Sequence, residues 1–163
     1  LSASMLKDNN IDFCLVGHSE RRQYFAETND NVNNKSSNLI EENIIPVICI
    51  GETLMQKENN LTEEILSKQI KDSIPNSANH LNALIAYEPV WAIGTGLTPT
   101  LDEINQVHEL IKTFDTKFRS FKILYGGSVN SSNSKEINKL SHVDGCLIGG
   151  ASIKVDEFNI IIS

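Results

Sequence analysis

The sequence predicts an α/β fold built on a parallel sheet of at least five strands. Short β-type runs, almost continuously apolar, recur along the chain. Amphipathic helical stretches separate them, and no linker or low-complexity tract interrupts the alternation. Repeated strand-then-helix order is the signature of parallel pairing through crossover helices, and residues 1–163 read as one domain.

The runs are Phe13–Val16, residues 46–50, Leu84–Tyr87, residues 122–125 and residues 146–148. Their unbroken apolar character is that of strands buried on both faces. The clearest helix puts Leu101, Ile104, Val107, Ile111 and Phe114 on one side. Thr100 followed by Glu103 is a capping-box pattern at its start. A second helix spans about residues 62–73 and carries Ile65, Leu66 and Ile70, with Glu63 and Glu64 suiting the dipole of its first turn. The asparagine-rich stretch 29–38 reads as a loop and an exposed helix face. Periodicity leaves two architectures open, a doubly wound sheet and a closed (β/α)8 barrel.

Hydrophobic residues make up 40% of the chain and charged residues 21%, an ordinary globular balance. A net charge of -7 leaves no basic footprint for nucleic acid. No apolar run is long enough to span a bilayer, so neither nucleic acid nor membrane is an expected partner. Cys14, Cys49 and Cys146 all lie inside apolar runs and are expected to be small buried hydrophobes. They form no metal-binding spacing, which suits a reducing, cytoplasmic compartment. The chain begins Leu1-Ser2-Ala3-Ser4, without an initiator methionine, as expected of a processed product or a piece of a longer protein.

In parallel α/β proteins chemistry gathers beyond the C-terminal ends of strands. The first run is followed by Gly17-His18-Ser19-Glu20. A helix N-terminus behind His18 disfavours imidazolium, so it can serve as a neutral hydrogen-bond donor or simply as a structural residue. Glu20 is a second carboxylate or a partner of the helix dipole. Glu88 follows the third run and is either a general base or a solvated surface acid. The stiff Pro89-Val90-Trp91 and the compliant Ala92-Ile93-Gly94-Thr95-Gly96 after it have the build of a hinged lid, although a G-x-G is also an ordinary turn. Gly126-Gly127-Ser128 and Gly149-Gly150-Ala151-Ser152 close the last two runs. Paired glycines let backbone N–H groups approach an oxyanion, and two such pairs at consecutive strand ends point to a phosphorylated substrate.

Four segments, in order, resemble the motifs of the triosephosphate isomerase family: Val16-Gly17-His18-Ser19-Glu20-Arg21-Arg22, residues 86–96, Tyr125-Gly126-Gly127-Ser128-Val129 and residues 144–152. The resemblance covers essentially the whole chain. It implies a TIM (β/α)8 barrel, here an incomplete one covering strands four to eight, with about three β/α units absent at the N-terminus. It implies interconversion of dihydroxyacetone phosphate and glyceraldehyde 3-phosphate through an enediolate, in a cytoplasmic homodimer, with no metal and no organic cofactor. Carried over residue by residue, Glu88 is the base and His18 the neutral electrophile. Gly94, Ser128, Gly149 and Gly150 hold the substrate phosphate through backbone N–H groups. Trp91, Ile93, Gly96 and Glu52 form the lid and its latch, Trp91 bonding Glu52 and Ser128 bonding near Gly96. Glu52 is otherwise a helix-dipole carboxylate. Glu20 has a supporting role, normally paired with a lysine that the family carries after its first strand and that no motif here supplies. Pro99 stands where a tyrosine latch from Tyr125 needs an N–H. A truncated chain is expected to be inactive. A non-catalytic phosphate-binding barrel and another phosphate-binding barrel enzyme are the alternatives.

Overall fold

The computed structural model describes residues 1–93, 95 and 97–163. Among them five strands form one parallel sheet: β1 (Phe13–Val16), β2 (Ile45–Ile50), β3 (Leu84–Tyr87), β4 (Ile123–Tyr125) and β5 (Gly145–Cys146). Their spatial order is their chain order, β1-β2-β3-β4-β5. A doubly wound sheet reverses direction at a switch point. A sheet that always advances is the winding of a barrel.

The helices are α1 (Ala3–Asp8), α2 (Ser19–Phe25), α3 (Asn29–Glu41), α4 (Leu54–Glu58), α5 (Thr62–Ser73), α6 (Leu101–Thr113), α7 (Ser134–Ile137) and α8 (Val155–Ile162). The predicted capping box opens α6: the Thr100 hydroxyl accepts from Glu103 N–H while Glu103 Oε2 accepts from Thr100 N–H. On α5 the carboxylates Glu63 and Glu64 occupy the first turn, and Leu66, Ile70 and Ser73 are buried.

The asparagine-rich stretch departs from expectation. It belongs to α3, a continuous helix with a Thr28–Asn31 capping box. Val32, Ser36 and Leu39 lie buried on one face at helical spacing. That stripe is hard to see among asparagines because one of its members is a serine.

Four strand expectations also need correction. The last run, expected over residues 146–148, pairs as a strand only over Gly145–Cys146. The run expected over 122–125 is one residue shorter, and β2 begins one residue earlier than expected. Burial on both faces holds for β2 and β3 but not for β1, where Phe13 is 54% and Leu15 46% exposed. β1 pairs only with β2, so its other edge has no paired strand among the described residues. For the same reason Cys49 on central β2 is buried, whereas Cys14 on β1 and Cys146 on β5 are only partly covered.

Candidate functional site

The C-terminal ends of the strands open into a cleft of about 490 Å³ whose lining includes His18, Glu20, Glu88, Ile93, Ser128, Gly149 and Gly150. Residues widely separated in sequence thus meet in one place, as the strand-end pattern predicted.

His18 caps α2. Its Nδ1 accepts the Glu20 N–H at 3.3 Å. That leaves Nε2 to carry the proton of a neutral imidazole, and Nε2 points at Glu88 Oε1, 3.5 Å away. The separation is longer than a good hydrogen bond, so neither group is committed to the other. Glu20 itself is exposed at the rim.

Glu88 is only 3% exposed. Burial pushes its carboxyl above the ordinary glutamate range; His18, the Cys49 thiol, the Ser19 backbone N–H and Arg22 oppose the shift without cancelling it. The Glu88 N–H donates to Ile50 O at 2.7 Å, so Glu88 hangs directly on the β2–β3 ladder. Beyond it, Val90–Ala92 form a 3-10 turn. Trp91 Nε1 donates to Glu52 Oε1 at 2.9 Å, and the Ser128 hydroxyl donates to Ala92 O at 2.5 Å.

Glu52, 1% exposed, is a buried acceptor rather than a helix-dipole carboxylate. The Tyr87 hydroxyl also reaches both of its oxygens at 3.2 Å. Burial raises its carboxyl too, against hydrogen bonds from Trp91 and Tyr87. Gly149 and Gly150 are exposed on the cleft, leading into a 3-10 turn at Gly150–Ile153, and open space surrounds the position of a Cβ on either. Gly94 and Gly96, expected at the phosphate and in the lid, lie outside the described residues.

Other residues set this geometry without having been foreseen. Gly17 has a positive φ of 73°, a conformation that favours glycine. Its N–H donates to Glu27 Oε2 at 3.0 Å, and Glu27 is buried and held by Arg21 and Lys35. Burial alone would raise the Glu27 carboxyl, but hydrogen bonds from Lys35 and Arg21 outweigh it and hold the group low. Arg22 donates to Gly17 O at 2.7 Å, Asn29 Oδ1 at 2.7 Å and Cys49 O at 3.2 Å. It ties the end of β1 to α3 and β2. Tyr87, at the tip of β3, was equally unforeseen. An aromatic hydroxyl ending a buried strand was the available signal, because such a group needs a partner.

The fold and the cleft define a barrel-type parallel α/β protein with a carboxylate–imidazole pair at its strand ends. A family profile described as Triosephosphate isomerase matches residues 1–163. The triosephosphate isomerase of Clostridium tetani is 46% identical over 171 residues, covering 100% of this chain and 67% of that protein. That of Endomicrobium trichonymphae is 41% identical over 99% of this chain and 68% of its own length. The crystal structure of triosephosphate isomerase from Bartonella henselae superposes with a TM-score of 0.91 at 36% identity, covering 99% of this chain and 68% of that one. The chain belongs to the triosephosphate isomerase family and spans about two thirds of the length of these relatives.

Proposed function

We propose that this chain carries the base, the electrophile and the phosphate grip of an isomerase interconverting dihydroxyacetone phosphate and glyceraldehyde 3-phosphate. The carrying observation is that His18 Nε2 and Glu88 Oε1 approach to 3.5 Å in a cleft that also exposes Ser128, Gly149 and Gly150.

Glu88 takes the proton from the carbon beside the substrate carbonyl and returns it to the neighbouring carbon. A carboxylate raised by burial is a stronger base for that transfer than an exposed one. His18, with its proton on Nε2, donates to the oxygen that gains charge as the enediolate forms, a stabilisation that grows toward the transition state. Backbone N–H groups of Gly94, Ser128, Gly149 and Gly150 take the phosphate, leaving the reacting carbons between His18 and Glu88. Glu20 supports the histidine end of the site.

Residues 91–96 act as the lid. The bond of Trp91 to Glu52 and that of Ser128 to Ala92 fix its near end, and Ile93 supplies apolar cover. Excluding water protects the reactive intermediate. In this reading β1–β5 correspond to strands four to eight of a (β/α)8 barrel. Support comes from their unreversed order and from the longer relatives. The working molecule is a homodimer in the cytoplasm, in keeping with the free cysteines.

The test is Glu88→Asp in the intact protein, assayed for isomerisation in both directions. Withdrawing the carboxylate by one methylene should lower kcat on the order of 10²-fold with little change in KM. A near-parental kcat removes Glu88 from the base role.

A further inference from the structure

Outside the cleft described above, Glu52, Lys57, Trp91, Pro99 and Glu103 line a second cavity of about 490 Å³ beside α4, α5 and α6. The Lys57 ammonium lies 3.8 Å from the centre of the Trp91 ring. It also donates to Glu103 Oε1 at 2.9 Å. The other oxygen of Glu103 accepts from the Thr100 N–H at 2.7 Å and from its hydroxyl at 3.0 Å. Trp91 in turn donates to Glu52, and it sits in the 3-10 turn three residues after Glu88.

We propose that Lys57 is a positioning residue for the reaction: it clamps the Trp91 indole between its ammonium and Glu52, and anchors that clamp to the start of α6 through Glu103. A cation over an indole face is attracted by the ring quadrupole. The ion pair with Glu103 restricts where that cation can stand, and the capping box fixes Glu103 itself. The chain therefore runs from a rigid helix start, through one lysine, to the turn that follows the base. Holding Trp91 keeps Val90–Ala92 in place, and with it the Ala92 carbonyl that receives the Ser128 hydroxyl. Lys57 touches neither Glu88 nor the cleft that holds it, so it acts on the reaction through Trp91 and Glu52.

This inference rests on Glu88 being the base, and its test has a reporter that does not. Trp91 is the single tryptophan of these 163 residues, and difference spectra against Trp91→Phe isolate its emission in the intact protein. In the intact protein, Lys57→Met keeps an unbranched apolar stem and removes the charge. It should shift the Trp91 emission and lower kcat about five-fold, the size expected of one partly exposed cation–π contact, with KM little changed. Glu103→Gln should act in the same direction, the double variant should lose no more than the worse single variant, and Lys57→Arg should restore both emission and rate. Unchanged emission in Lys57→Met overturns the clamp. Altered emission with a parental kcat, or additive losses in the double variant, overturns the positioning role. If the parent protein shows no isomerisation, the reading of Glu88 fails, and the emission of Lys57→Met still decides whether the clamp exists.

Discussion

Replacing Gly51 with alanine should move Glu88, the proposed base, without altering its side chain. Gly51 follows β2, and a methyl group built there would stand 1.7 Å from the Glu88 carbonyl oxygen and 2.6 Å from its carbonyl carbon. Non-bonded heavy atoms rest at about 3.5 Å, so the two backbones must part by well over 1 Å. The obstacle is backbone, and no rotamer change relieves it. The same two segments are joined by the Glu88 N–H to Ile50 O bond of 2.7 Å and by the Ile50–Tyr87 register. The displacement therefore falls on the residue that carries the carboxylate. Misplacing a reacting group by about 1 Å can cost on the order of 10²-fold, which is about 3 kcal/mol of barrier. Steady-state kcat and KM of the intact Gly51→Ala protein, with a thermal melt to show that it folds, measure the effect. A folded Gly51→Ala protein with near-parental kcat refutes the reasoning.

Two further outcomes follow from buried titratable groups. Burial raises Glu88 above the ordinary glutamate range, and a glutamate in the proposed base role works only when deprotonated; the acidic limb of kcat/KM should therefore fall at a pH above that of a free glutamate, and a limb at or below about 4.3 contradicts the assignment. His108 is fully buried, with neither ring nitrogen hydrogen-bonded among the described residues, and burial lowers its pKa to about 4. Above pH of about 6.5 it is neutral in both folded and unfolded chains; as pH falls from there toward 4 only the unfolded chain takes the proton, so stability declines by about 3 kcal/mol in total. His108→Leu should remove that part of the decline, and denaturation midpoints of equal pH slope in the two proteins would refute it.

The sheet and the placement of His18 and Glu88 at strand ends were legible because local pattern governs them. Buried strands read as apolar runs, and His18 and Glu88 stand just past two of them. The support around them was not legible. Glu27 reaches back ten residues to the Gly17 N–H, and Arg22 reaches forward to the Cys49 carbonyl. Such contacts depend on which helix packs behind which strand, and no periodicity carries that. α3 was partly missed for a different reason: its buried stripe holds Ser36, so the apolar signal weakens where the helix is most tightly packed. β1 was misread because its residues match a strand enclosed on both faces, while Phe13 and Leu15 are exposed here. Composition reports the environment a strand is made for, and exposure depends on which neighbours accompany it.

The spacing of the strands explains why one small residue matters so much to the pair. β1 and β3 are not neighbours; β2 lies between them. Adjacent strands stand about 4.8 Å apart, so the tips of β1 and β3 are separated by about 10 Å. An imidazole capping α2 and an extended glutamate side chain can together span that distance, and they come within 3.5 Å. They do so over the end of β2, where the chain continues as Gly51 and the Glu88 carbonyl already occupies the place a Cβ would need. A shorter carboxylate just after β3 would fall short of the histidine, and any side chain at Gly51 would push Glu88 away. The positions of His18, Gly51 and Glu88 are thus three consequences of one sheet geometry, and Gly51→Ala should lower kcat on the scale of Glu88→Asp if Glu88 is the proposed base.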